Sequence, residues 1–475
     1  MWKPCSDLPH SAPLSTLPPE RPAASVPLPR LLPQRRRPAP VAIALGLALM
    51  VLTSGCQQGD DPPVSLQLAI STGQGSDGVA RANLKRLATQ IANEYMRNHP
   101  RVLLHLRFLP EGDLVESVRS RARLGAGPDL LISRVAPVEI LDREGYLKPI
   151  EISPQQLDPL QLKFLSKFRD GSSYDALPFL LQPTVACYDR RRLPRAPSRL
   201  DELPVRAAEG VRVGLPLQIS ELLWTASDFD ADRALLNLFL TRVQTKALWQ
   251  GLSPTDRTRV EDWLGWLARA NIEPNVIFVE TADELVERME RGQLDWISCS
   301  STAIERLKRK LGPHLGVSVL PTGSDGKPAR PMARLQLLSF GRDSTPAQRQ
   351  VATSFALFVL NDFSQTNLIS KAFGNMPVNQ NVVVPVKDSP ALAVMQASLD
   401  HSTVPTFREG VGFRRAIGLG AGTQDPLVYL LKQAVYSEQS PEAVTQGIEA
   451  IAEKAFLKDL SKGVRKSAPS QGGDL

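Results

Sequence analysis

From residue 64 onward, short apolar runs with strand character take turns with longer segments of helical period. Residues 64–71 read as a strand, 79–98 as a helix with Leu84, Leu87, Ile91 and Tyr95 on one face, and 102–109 as a second strand. A helix over 113–124 and a strand over 129–133 repeat the unit. Strand, helix and strand with short connections are the order of a mostly parallel, doubly wound sheet. After Pro178 and Phe179 the pattern starts again, with strands over 185–188, 211–215 and 296–300 and a helix over 231–249. A strand over 316–320 precedes a turn-rich stretch, 323–330, and residues 335–340 return to strand character. Helices follow at 346–361, 426–436 and 441–457, two of them announced by Thr345-Pro346 and Ser440-Pro441 as N-cap and first-turn proline. The predicted class is α/β in two lobes, each a mostly parallel sheet flanked by helices.

One apolar run does not fit that rhythm. Residues 41–52 are twelve apolar positions preceded by Arg35, Arg36 and Arg37 and followed by Thr53, Ser54 and Gly55. As a helix the run spans ~18 Å, against the ~30 Å of a bilayer's hydrocarbon core, so it reads as an export signal and not as a lasting span. The end of the run, Leu52-Thr53-Ser54-Gly55-Cys56, resembles a bacterial lipobox, with Thr53 where that motif usually has leucine. The resemblance implies lipidation of Cys56, with residues 57–63 as a tether. Residues 1–40 hold eleven prolines and form a leader that cannot bury a core.

Removing 56 of the 475 residues leaves 419, more than one core usually supports, so two domains are expected. The formal net charge is +7, but residues 1–56 hold six Lys/Arg and two Asp/Glu, so the remainder carries only +3. Without a basic block to track phosphates, no nucleic-acid partner is expected. Cys187 and Cys299 both fall in apolar, strand-like runs. Export permits a disulfide between them, but two buried free thiols are the expectation. The five histidines show no metal-ligand spacing, and no metal site is expected.

Gly73-x-Gly75-x-x-Gly78 follows a predicted strand and opens a predicted helix, as a dinucleotide fingerprint would, with Glu111 and Asp113 just past the second strand. Export to a compartment without a dinucleotide pool, and the negative charge of Asp77 beside the would-be phosphates, argue against it. No cofactor is expected, and the segment reads as a backbone-rich lip or as a simple turn with an N-cap. No nucleophile elbow or Ser/His/Asp set is present, so the chain is read as a non-enzyme. Trp249, Trp263 and Trp266 lie in helix-like segments, whereas Trp224, Trp296, Phe407 and Phe413 stand near strand ends or polar stretches. Those four suit either stacking on the apolar face of a sugar or core packing.

Several segments, in order, resemble the extracellular solute-binding proteins of the maltose-binding type. Gly127-Pro128-Asp129-Leu130-Leu131 resembles the family's entry to a strand, and Glu144-Gly145-Tyr146-Leu147-Lys148-Pro149-Ile150 its close. Ala176-Leu177-Pro178-Phe179 through Gln182-Pro183-Thr184-Val185 resembles the first crossing between lobes. Val317-Ser318-Val319-Leu320-Pro321 resembles the return, and Gly374-Asn375-Met376-Pro377-Val378-Asn379 a third crossing. The resemblance implies a type II periplasmic-binding-protein fold with residues 64–180 and 321–375 in one lobe, 181–320 and 376–463 in the other, and a disordered tail over 464–475.

It also implies a cleft between the lobes, walled on the first by Thr72, Gly73, Gln74, Ser133, Arg134 and Gln182. On the second lobe the matching positions are Gln218, Glu221, Trp224, Trp296, Ser300, Ser301 and Phe407. Ser300-Ser301 stand where the family's sugar binders often carry an aromatic. The implied function is the substrate-binding lipoprotein of an ABC importer, a monomer exported and anchored to a bacterial membrane. It would hand a small solute, a sugar or glycosylated polyol, to permease subunits in the membrane. The alternative is a lipoprotein that senses a solute for a membrane signalling partner.

Overall fold

The computed structural model describes residues 62–73, 78–239, 249–404, 407 and 426–466. Cys56, the export signal, most of the tether, Gln74, Gly75, Phe413 and the tail beyond residue 466 lie outside the described residues.

Strand β1 (Val64–Ser71) alternates half-buried and buried positions before becoming fully buried, and helix α1 (Gly78–Asn98) lays Leu87, Ile91, Ala92 and Tyr95 onto the sheet. Strand β2 (Val102–Leu109) runs parallel to β1 from Val64↔Val102 to Ser71↔Leu109. Helix α2 (Glu111–Ala122) leads to β3 (Leu130–Arg134), parallel to β1 on its other side, and then to α3 (Val135–Arg143). Three two-residue strands, Ile150–Glu151, Arg169–Asp170 and Ser173–Tyr174, form a small separate sheet before β4 (Leu177–Gln182).

Pro183 carries the chain into the second lobe. There β5 (Thr184–Asp189) and β6 (Val213–Pro216) are followed by helices α4 (Ile219–Ala226), α5 (Ala231–Phe239) and α6 (Pro254–Ile272). Next come β7 (Val276–Val279), α7 (Ala282–Glu290), β8 (Trp296–Ser300), α8 (Ile304–Leu311) and β9 (Leu315–Ser318). The chain returns to the first sheet as β10 (Arg334–Phe340). It continues through α9 (Pro346–Leu360), started by a Thr345/Gln348 capping box, then α10 (Asp362–Lys371) and β11 (Met376–Pro377). After a third crossing, α11 (Pro390–His401) packs on β5 and β9, and α12 (Pro426–Val435) and α13 (Pro441–Lys466) pack on α6.

The first sheet is ordered β11-β4-β10-β3-β1-β2 and the second β7-β6-β8-β5-β9. Each has three neighbouring parallel strands, β2-β1-β3 and β7-β6-β8, flanked by an antiparallel strand, β10 or β5, that has just arrived from the opposite lobe. Leu66, Leu130, Leu131, Leu337 and Leu338 are fully buried in the first sheet, each contributing ~1.5–3 kcal/mol by burial.

Strand β4 keeps residues 181 and 182 in the first sheet, and β11 adds 376 and 377. The return segment also stays with the second lobe past residue 321. The Arg330 guanidinium donates to Asp232 (2.6 and 2.8 Å) and Asp230 (2.8 Å), and Ser324 donates to Asp228 (2.6 and 2.9 Å).

The free-thiol expectation is overturned: Cys187 and Cys299 form a disulfide, with Cα atoms 6.0 Å apart. Strands β5 and β8 are antiparallel neighbours with Cys187 opposite Ile297 and Cys299 opposite Val185. The two cysteines are therefore diagonal neighbours on adjacent strands, within bridging distance.

Candidate ligand cleft

Loops at the carboxyl ends of parallel strands are where ligands bind in open α/β sheets, because connections from neighbouring strands leave toward opposite faces at the switch point and open a crevice there. In the first lobe those ends are Ser71-Thr72-Gly73 after β1 and Ser133-Arg134 at the end of β3. Thr72 is buried, and its backbone N–H donates to Leu109 O (2.9 Å). Gly73 takes φ +80°, a left-handed conformation open to glycine, and its N–H donates to Ser71 Oγ (3.2 Å). Ser133 is buried and its Oγ has no hydrogen-bond partner. Arg134 is held by Glu111 at the start of α2, its Nε donating to Oε1 (2.8 Å) and Oε2 (2.9 Å).

Second-lobe residues approach from Gln218 onward, past the end of β6. Gln218 Oε1 accepts from the Ala282 N–H at the start of α7 (3.4 Å). Glu221, in the first turn of α4, accepts from Nε of Arg334 (2.8 Å), the first residue of β10 in the first sheet, and its Oε1 lies 2.7 Å from Nη2. This ion pair bridges the lobes. Burial works against the Arg334 charge, but Glu221, with Asp283 and Glu111 farther off, holds its pKa above the ordinary arginine value.

The floor between the lobes is stitched by polar contacts. Gln182, at the end of β4, donates through Nε2 to Asn375 Oδ1 (2.9 Å), and Asn375 Nδ2 donates to Ala372 O (2.9 Å). Ser301 donates through Oγ to Gly374 O (2.5 Å) and through its N–H to Pro183 O (2.9 Å). Ser300 Oγ and Thr302 Oγ1 are 3.0 Å apart. Gly374 takes φ +95°, and a Cβ there would lie 2.6 Å from Ser301 O and 2.7 Å from Thr302 Cα. The first and third crossings therefore meet the end of β8 backbone to backbone.

Of the expected site residues, Thr72, Gly73, Ser133, Arg134, Gln182, Gln218, Glu221, Ser300 and Ser301 stand at strand ends or at this floor. The aromatics do not. Trp224 and Trp296 are 2 % and 0 % exposed, with ring centroids 6.1 Å apart inside the second lobe's core, and each indole N–H is buried without a partner. They are packing residues because α4 turns one face onto the sheet and β8 is central in it. Phe407 is 2 % exposed and packs on Phe168 (5.6 Å) in the core that includes the first lobe, with its N–H donating to Lys167 O (2.8 Å). It is not on the second-lobe wall. Ser301 sits fully buried in the hinge contact.

Arg334, Asp283 and Asn375 were not anticipated. The one signal for Arg334 is a charged residue opening an otherwise apolar strand, Arg334-Leu335-Gln336-Leu337-Leu338. Among the described residues, no group of His, Cys, Asp and Glu is arranged to hold a metal ion, and no helix is long and apolar enough to cross a membrane.

Two α/β lobes of one topology, three crossings and a polar floor where they meet define the two-lobed periplasmic-binding-protein fold, type II. Solved structures of that fold superpose on most of the chain. One is the GacH receptor of Streptomyces glaucescens, studied unliganded and with acarbose, at 17 % identity and a TM-score of 0.63 over 83 % of this chain and 99 % of that one. A second is a maltose-binding periplasmic protein from Listeria monocytogenes in complex with maltose, at 13 % identity and 0.62 over 83 % and 98 %. A third is an ABC transporter solute-binding protein from Thermotoga lettingae bound with α-D-tagatose, at 13 % and 0.59 over 83 % and 99 %. No protein-family model and no curated protein sequence matches the chain.

Proposed function

We propose that this chain is the solute-binding subunit of an ABC importer, capturing a small carbohydrate or glycosylated polyol between its lobes. The observation that carries the reading is the bridge from Arg334 on the first sheet to Glu221 on the second lobe, at the strand ends where solutes bind in this fold. Solved structures of the same fold in complex with maltose, acarbose and tagatose support the carbohydrate class. No covalent step belongs to the proposal. Contacts to both lobes favour the closed arrangement over the open one, and a permease reads the closed shape.

Thr72, Gly73, Gln74, Ser133, Arg134, Gln182 and Arg334 would line one side and Gln218, Glu221 and Ser300 the other. Cys56, following an export signal, would carry the lipid that keeps the protein at the membrane. The test is thermal unfolding against sugars, glycosylated polyols, polyamines, amino acids and phosphate esters. A ligand at a hundredfold excess over its Kd stabilises the native state by about 2.7 kcal/mol. A shift confined to carbohydrates supports the reading. A shift from another class, or none from the whole panel, refutes it.

A further inference from the structure

Resting on that reading, the geometry points to a particular chemistry: we infer that the Arg334–Glu221 pair reads a vicinal diol of an uncharged sugar, with one residue from each lobe. Arg334 opens β10 beside Gln182 of β4, and two residues on Gln336 stands opposite Arg134 of β3, so the guanidinium rises from the cleft floor. Glu221 faces it from α4. The two side chains are 21 % and 9 % exposed, shielded enough to be fixed and open enough to be reached.

The pairing is lopsided. Nε of Arg334 donates to Glu221 Oε1, and Nη2 lies 2.7 Å from that same oxygen. Among the described residues Oε2 of Glu221 and Nη1 of Arg334 make no hydrogen bond, and neither is among the buried polar atoms left without a partner. A charged acceptor and a charged donor on one ion pair thus keep hydrogen-bonding capacity. Adjacent ring hydroxyls are separated by about the ~2.8 Å that separates hydrogen-bonded heavy atoms. One hydroxyl donates to Oε2 while its neighbour accepts from Nη1, and both bonds are charge-assisted. Because the two residues belong to different lobes, a bound diol adds contacts to both.

The surrounding charge selects against acids. Glu111 and Asp283 also act on Arg334, and Arg134 is already paired with Glu111. Glu221, Asp283 and Glu111 all act on Arg334, so a uronate or sugar phosphate brings like charge toward these carboxylates.

The test is calorimetric titration of the full-length protein and of Glu221→Gln and Arg334→Lys. The probes are maltose, trehalose and glucosylglycerol, monodeoxy analogues of whichever binds, glucuronate and glucose 6-phosphate. A neutral sugar that binds the wild type should lose roughly 10–100-fold in affinity in either variant, the loss associated with a hydrogen bond to a charged group. Removing one hydroxyl of the recognised diol should weaken wild-type binding by a similar factor and weaken the variants no further, because the two deletions remove one interaction. Affinity within twofold of wild type in both variants, additive losses, or tighter binding of glucuronate than of the neutral sugars overturns the inference and leaves the receptor reading standing. No binding of any sugar to the wild type overturns both. Arg334→Lys keeps the cation and loses the fork, so it decides the matter if Glu221→Gln fails to fold.

Discussion

Replacing Gly374 by alanine should damage the hinge out of proportion to the one carbon added. The residue sits at φ +95°, where an L side chain is strained by ~1–3 kcal/mol. Its Cβ would meet Ser301 O at 2.6 Å and Ser301 C at 2.9 Å, backbone atoms with no rotamer to retreat into, and overpacking of this kind typically costs ~1–3 kcal/mol. Relief requires the end of β8 to move away from residue 374, breaking the Ser301 Oγ bond to Gly374 O and losing about another 1 kcal/mol. The sum is ~3–7 kcal/mol. With an unfolding entropy of ~2.1 cal/mol/K per residue over about 400 residues, each kcal/mol moves Tm by roughly 1 °C, so the midpoint should fall by several degrees. Ser301→Ala, which removes the hydroxyl bond and leaves the backbone approach intact, should lose about 1 °C. Scanning calorimetry and small-angle scattering of both ligand-free variants provide the readout. A Gly374→Ala midpoint no lower than that of Ser301→Ala, with an unchanged radius of gyration, would refute the claim that crossings and strand end meet without slack.

The disulfide between Cys187 and Cys299 closes 112 residues of sequence, for which loop entropy gives ~5 kcal/mol of stabilisation. Reduction should therefore lower Tm by several degrees, and peptide mapping without reductant should recover the two cysteines linked; separate thiols would sink the assignment. Trp224→Ala removes a ring that is 2 % exposed and should destabilise the protein by ~3–5 kcal/mol, measured by urea unfolding. A stable variant with only weakened ligand binding would return Trp224 to the cleft wall. The Arg119 guanidinium bonded to Glu144 (2.7 and 2.8 Å) holds that carboxyl below its ordinary pKa. A depressed carboxylate contributes stability that is present above its unfolded pKa of ~4.3 and is lost as pH falls through the lower folded value. Arg119→Met should therefore lower Tm at pH 7 and converge on wild type in acid; a gap that persists undiminished below the folded pKa would contradict the linkage.

The fold was legible because its information is local. Helix α1 follows from Leu87, Ile91 and Tyr95 at helical spacing, β1 and β2 from their apolar runs, and α9 from Thr345-Pro346. Repetition of strand and helix then leaves few topologies open. What local pattern left out were pairings across long separations. Cys187 and Cys299 each sit in an apolar strand, where a free thiol is also at home, and only the β5–β8 register makes them neighbours. The return segment reads as a turn-rich loop, and nothing nearby in sequence says that Arg330 reaches back to Asp230 and Asp232.

The aromatics expose a deeper limit. Trp224 and Trp296 stand near strand ends in sequence, yet a strand end has a solvent side and a core side, and polarity of the neighbours does not say which one a ring faces. In the structure the two rings turn to each other in the core, while the positions that meet across the cleft floor belong to charged and amide residues: Arg334, Glu221, Gln182 and Asn375. Placing them there follows from topology. The crossings deliver β10 and β5 antiparallel into the opposite sheets, so the first residue of β10 arrives beside the carboxyl end of β3. That first residue has to serve both lobes, and a long, forked, permanently charged side chain is suited to it: Arg334 keeps its stem in the first sheet and its guanidinium on a carboxylate of the second.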